Sequence, residues 1–112
     1  MILELQTDTW VKIAGVNTKL TAQLISDINA GTKTYTAIAI TETWLTDFGL
    51  TKYIDEVGVV MFQLLDKNVY IYLSPIRQVA DIYFGNELMF SVDCVHQVQN
   101  VVHSLIGEMI TK

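Results

Sequence analysis

The sequence is short of the residue types that announce most chemistries. It holds one cysteine, Cys94, so no internal disulfide can form, which fits a reducing compartment or indifference to redox. It holds one proline, Pro75, and neither an internal repeat nor a Pro-, Gly- or Ser-rich tract that could serve as a linker. A single domain over residues 1–112 is the simplest organisation for that length. Arg77 is the only arginine among seven scattered bases, set against twelve scattered acids for a net charge of -5. Without a basic stripe to neutralise phosphates, nucleic-acid binding is not expected. No apolar run approaches the ~18–20 residues of a membrane span. The opening MILELQTD lacks the basic, apolar and small-residue succession of a secretory signal, so a cytoplasmic location is the expectation. Phosphate-cradling glycine loops, paired carboxylates and Cys/His clusters are missing as well, which leaves no cofactor or metal to expect.

What the chain does have is apolar content, 51% against 17% charged, enough for a folded core. Its pattern predicts an α+β fold with a β-rich part over 1–40 and a helix–strands–helix part over 41–112. Strands are expected at 9–14 and 33–40. Residues 19–28 are ambiguous: Leu20, Ala22 and Leu24 alternate like a strand, whereas Leu20, Leu24 and Ile28 fit one helical face, and the strand is preferred. Residues 40–50 predict a short helix with Thr41 as N-cap, Glu42 at its positive end, Trp44, Leu45 and Phe48 inward, and Gly49 as the stop.

From 57 to 92 the sequence predicts an antiparallel meander of about four strands, at 57–65, 68–73, 78–84 and 87–92. Gly85-Asn86 would form the last two-residue turn. Pairing Phe84 with Glu87 would put Val79, Tyr83, Leu88, Phe90 and Val92 on one face and Ile82, Phe84 and Met89 on the other. Both faces are partly apolar, so the sheet should be covered twice, by helix on one side and by the N-terminal strands or a partner on the other. Tyr70 and Tyr72 project to one side of their strand, away from Val69, Ile71 and Leu73. Tyrosines suit an interface, where the ring covers area and the hydroxyl stays wet, and they suit an ordinary sheet core as well. Trp10 and Trp44 read as packing residues.

Residues 93–109 predict an amphipathic helix, with Val95, Val98, Val102, Leu105 and Met109 as the stripe that lies on the sheet and Asp93 or Ser91 as N-cap. This stretch also carries Cys94, His96 and His103. Two helical positions apart, Cys94 and His96 would diverge by about 200°, so no nucleophilic pair is expected. His96 and His103 would stand ~10 Å apart along the axis, too far to share a metal ion. The polar strip of His96, Gln99, Asn100 and His103 either satisfies backbone groups of a neighbouring strand end or contacts a partner protein.

Two segments resemble a group of small uncharacterised proteins of Bacteroidetes bacteria, their prophages and their phages. AIAITETWLTDFGL (37–50) is similar to that group's PIPLTEEWLLKFGF-type segment, and VHQVQNVVHSLIGEM (95–109) to its VHQLQNLYFALTGEEL-type ending. The matching residues are Trp44, Leu45, Phe48, Gly49, Val95, His96, Gln97, Gln99, Asn100, Gly107 and Glu108. Alanines stand at 37 and 39 where the group tends to carry proline. LQTDTWVKIAG resembles the group's opening, LRIGNYV, which implies a small SH3-like barrel of N-terminal strands. The resemblance implies a phage or mobile-element setting and no particular reaction.

The functional expectation is a non-enzymatic protein that binds another protein or itself, as a homodimer, through His96, Gln99, Asn100 and His103, through Tyr70 and Tyr72, or through both. It would be a host-directed inhibitor or a self-assembling component. The rival expectations are a small enzyme or ligand binder centred on Cys94 and His96 or His103, and a nucleic-acid-associated protein acting through the N-terminal strands.

Overall fold

A computed structural model describes residues 5–64 and 66–112. The order of elements is β1 (Trp10–Ile13), β2 (Val16–Lys19), α1 (Ala22–Asn29), α2 (Glu42–Asp47), β3 (Thr51–Ile54), β4 (Val60–Leu64), β5 (Val69–Leu73), β6 (Ala80–Phe84), β7 (Glu87–Val92) and α3 (Val95–Ile106). The fold is α+β. A five-stranded antiparallel meander, β3-β4-β5-β6-β7, carries α3 on one face, and β1 and β2 form a separate hairpin.

The N-terminal part departs most from expectation. β1 turns into β2 through Ala14 and Gly15, both at positive φ (52° and 77°), as a two-residue hairpin with matching twist requires. The sequence reading missed β2 because VNTK is short and polar. Residues 22–29 are helix, not strand: Thr21 stands just before them in extended conformation and its hydroxyl accepts from Leu24 N (3.2 Å). That cap decides for the helical face of Leu24 and Ile28. Residues 33–40 form no strand; their ladder contacts are two isolated bridges, Lys12 with Thr36 and Ala39 with Cys94, and Ile38 enters the core. With two strands and no closed barrel, the SH3-like expectation does not hold.

α2 is shorter than expected, and Thr41 occupies its N-cap position without a side-chain bond. Trp44, Leu45 and Phe48 do enter the core, and Gly49 takes φ 95° where the helix stops. β3 follows at once, paired with β4 from Thr51–Gln63 to Ile54–Val60. The meander thus has five strands instead of four. Residues 57–59 belong to the turn before β4, where the Asp55 carboxylate accepts from Val57 N and Val59 N.

The expected hairpin at Gly85-Asn86 forms, with Phe84 opposite Glu87. Tyr83 pairs with Leu88 but Ile82 pairs with Phe90, so Met89 is an extra residue, a β-bulge. It turns Phe90 and Val92 to the Ile82 side, against simple alternation. The core between sheet and helix comprises Phe62, Val69, Ile71, Ala80 and Ile82 from the strands. α3 adds Val95, Val98, Val101 and Val102, each 0% exposed. Burying each valine contributes about 1.5 kcal/mol or more, which is what holds α3 in place. α3 ends at Gly107 (φ 75°), whose N–H donates to His103 O at 2.8 Å.

Candidate functional site

The polar strip of α3 faces inward. Gln99 is 0% exposed although it has an amide head. Its Oε1 accepts from Trp10 N (2.9 Å), and its Nε2 donates to Asp8 O (2.9 Å) and Ile110 O (2.7 Å). One side chain therefore ties the β1 hairpin and the segment after α3 to the helix. This is the backbone-serving role that amides on such a strip can take. Asn100, 1% exposed, is also inside and engaged. His103 is half-buried, its Nδ1 3.1 Å from Gln6 Oε1. Of the strip, His96, Gln99 and Asn100 offer no surface to a partner; His103 lies at the rim.

Cys94 and His96 do meet, which corrects the helical-wheel expectation. Cys94 is the N-cap of α3, with φ -135° and ψ 160°, so the turn of 100° per residue does not apply to it. Its Sγ lies 3.5 Å from His96 Nδ1. Each residue is 4% exposed, and Tyr35 packs edge-on against the imidazole with ring centroids 6.1 Å apart. Burial pushes the Cys94 thiol above its ordinary 9.0, a bond from Gln97 N–H opposes that, and Asp93 adds to it. Burial likewise holds His96 below its ordinary 6.5, with Asp93 acting the other way. The ground state is a neutral thiol beside a neutral imidazole. A working nucleophilic pair needs the thiolate, which this environment disfavours. Among the described residues, no three His, Cys, Asp or Glu side chains gather in an arrangement that could hold a metal ion.

The face of the sheet opposite α3 is different. The register sets Tyr53 and Met61, Gln63 and Tyr70, Tyr70 and Tyr83, and Tyr72 and Asp81 in cross-strand pairs on that face. Among the described residues neither helix nor hairpin covers it, so the expected N-terminal lid is not there. Tyr53, Tyr70, Tyr72 and Tyr83, with Val59 and Met61, line an open concavity of about 580 Å³. Tyr70 and Tyr72 are half-buried, while Val69 and Ile71 beside them are 0% exposed on the covered face. Sequence reasoning named these two tyrosines. It placed Tyr83 on a strand face without joining it to them, which only the pairing of β5 with β6 does, and it left out Tyr53, which lay outside any predicted strand and joins the row through the register of β3.

Asp81 anchors the same face. Its side chain is 8% exposed, and Arg77 Nη2 donates to both carboxylate oxygens (3.1 and 2.9 Å) while Ser91 Oγ donates to Oδ1 at 2.6 Å. The carboxylate is therefore committed inside the protein, and the described residues that line the concavity carry no charged side chain.

No known protein family, curated protein or solved structure matches the chain in comparisons with each. Among the described residues no helix is long and apolar enough to cross a membrane.

Proposed function

We propose that this is a non-enzymatic binding protein that takes another protein chain on the open face of the β3–β7 sheet. The observation that carries the reading is the row Tyr53, Tyr70, Tyr72 and Tyr83, which line one open concavity from the edge strand β3 and from the inner strands β5 and β6. Tyrosine supplies large rigid area with few rotors and a hydroxyl that tolerates water before docking. Leu88, on the same face and 53% exposed, extends the apolar surface past the concavity. The residues that carry the resemblance to phage and prophage proteins are mostly core residues, so the likeness concerns how the fold is built. It supports a setting in a phage or mobile element, in the bacterial cytoplasm, as a host-directed inhibitor or a self-assembling component.

The test is capture from bacterial lysate, with light scattering on the purified protein, for the unsubstituted chain and for Tyr70→Glu/Tyr72→Glu. The reading expects a bound protein, or a dimer, that the double variant loses while keeping its circular dichroism. A monomer whose captured proteins do not differ between the two chains overturns it.

A second reading, thiol chemistry at Cys94, draws on the 3.5 Å contact with His96. It requires iodoacetamide to modify Cys94 in the folded protein near neutral pH. A thiol that reacts only after unfolding removes it.

A further inference from the structure

The two tryptophans of the chain come together away from the tyrosine face. Trp10 of β1 and Trp44 of α2 lie with ring centroids 5.5 Å apart, tilted by 58°. Over them sits the ammonium of Lys112, with Nζ 4.0 Å from the Trp44 centroid and 5.5 Å from that of Trp10. The same Nζ donates to Asp47 Oδ2 at 2.9 Å. Two indole faces and a carboxylate around one ammonium are what recognises an alkylammonium ion, the rings through their quadrupoles and the carboxylate through charge.

The walls of this cage do not depend on its occupant. Trp44 is 8% exposed and packs on Phe48 with ring centroids 5.7 Å apart, inside the main core. Trp10 is held by its own backbone, through the bond of its N–H to Gln99. The occupant is held more loosely. Lys112 and Asp47 keep 35% and 43% of their side chains exposed, so water and solutes reach the ammonium. The chain positions Lys112 through Thr111, whose hydroxyl donates to Asp8 O (2.7 Å), and through Ile110 O, which accepts from Gln99.

We propose that Trp10, Trp44 and Asp47 form a binding site for an alkylammonium group, that Lys112 occupies it in this chain, and that a lysine side chain of a partner protein can take its place. Lys112 acts as a tethered competitor, at an effective concentration in the millimolar range or above. The site is separate from the tyrosine face and stands or falls independently of it.

Trp10 and Trp44 are the only tryptophans, so indole fluorescence reports on this site alone. The experiment titrates the full chain and its Lys112→Met variant with methylammonium chloride and with Nα-acetyl-lysine N-methylamide, at ionic strength held constant with sodium chloride. Lys112→Met should give a saturable change in emission with both amines, at a midpoint at least tenfold lower than in the unsubstituted chain. Adding Asp47→Asn to that variant should raise the midpoint about tenfold. A folded Lys112→Met protein whose emission responds no differently to either amine than to sodium overturns the site. Saturation by methylammonium without saturation by the lysine amide overturns the assignment to a protein lysine. If Lys112→Met does not fold, the unsubstituted chain carries the test: emission that responds no differently to methylammonium than to sodium, up to the highest concentration at which the chain stays folded, overturns the proposal.

Discussion

The amide row of α3 and the tyrosine row of the sheet are both polar-tipped, and the fold puts them to opposite uses. Gln99 points between elements that would otherwise leave Trp10 N–H and Ile110 C=O without partners, and its three bonds make it a joint. The tyrosines are half-buried and line an open concavity on a face that no other described element covers. An amide carries donor and acceptor on one short head, which suits wiring backbone to backbone. A phenol carries a broad ring and a single hydroxyl, which suits an open surface. The comparison teaches that a polar side chain on an amphipathic element is classified by what lies opposite it, a backbone end or solvent.

That contrast can be broken at its strongest point first. Gln99→Ala should lower stability by about 3 kcal/mol, since it leaves buried backbone groups unpaired and opens a void. Tyr72→Ser on the other row should cost about 1 kcal/mol or less. Equal shifts of the two urea midpoints would erase the distinction. Next in size, Arg77→Met should cost about 1–2 kcal/mol, although Arg77 is itself 62% exposed. The loss comes from the Asp81 carboxylate, which stays buried with Ser91 alone, and Asp81→Asn in the same background should recover part of it. Recovery is read from the same denaturation curves.

The Cys94–His96 pair gives a smaller and pH-dependent effect. His96 is held below its ordinary 6.5 in the folded protein, so below that pH the unfolded chain binds more protons and stability falls as pH drops. Cys94 is held above its ordinary 9.0, so above that pH the unfolded chain gives up its proton first and stability falls as pH rises. Both contributions are fully present between those values. Urea midpoints from pH 5 to 10 should form a plateau there, and His96→Gln should flatten its acid shoulder. An unchanged shoulder would show that His96 does not carry it. Gly107→Ala should cost about 1 kcal/mol, no less than Tyr72→Ser, because a side chain at φ 75° is strained although nothing crowds the position.

Much of this was legible in the sequence, and the failures have physical causes. Long periodic elements declared themselves: α3 through its valines, β5 through the alternation of Val69, Ile71 and Leu73 with Tyr70 and Tyr72. Four-residue strands such as VNTK and TKYI hold too few side chains to show a period, and only their partners define them. Residues 19–28 carry both periods, and one hydroxyl bond from Leu24 N to Thr21 settles which is used. The meeting of Cys94 and His96 was hidden because a wheel drawn through an N-cap assigns it a direction the backbone does not follow. At the candidate site, Tyr70 and Tyr72 were readable from their strand. The contribution of Tyr53 and Tyr83 depends on register between strands, which a linear pattern does not contain.

The extra residue at Met89 bears on how the sheet can grow. An edge strand with free backbone groups is a template on which a second chain can lay a strand, the first step toward a fibril. β7, the edge strand at one end of the meander, carries the bulge between its pairings with Ile82 and Tyr83, which breaks the even spacing such templating needs. The opposite edge, β3, is only four residues long and bears Lys52, whose ammonium is paired with Glu42 at 3.0 Å. Deleting Met89 would make the Phe84–Glu87 hairpin a regular ladder and straighten the edge, and thioflavin T fluorescence on prolonged incubation should then rise. With one margin bulged and the other short and lysine-bearing, strand addition along the edges is disfavoured while an apolar face stays exposed.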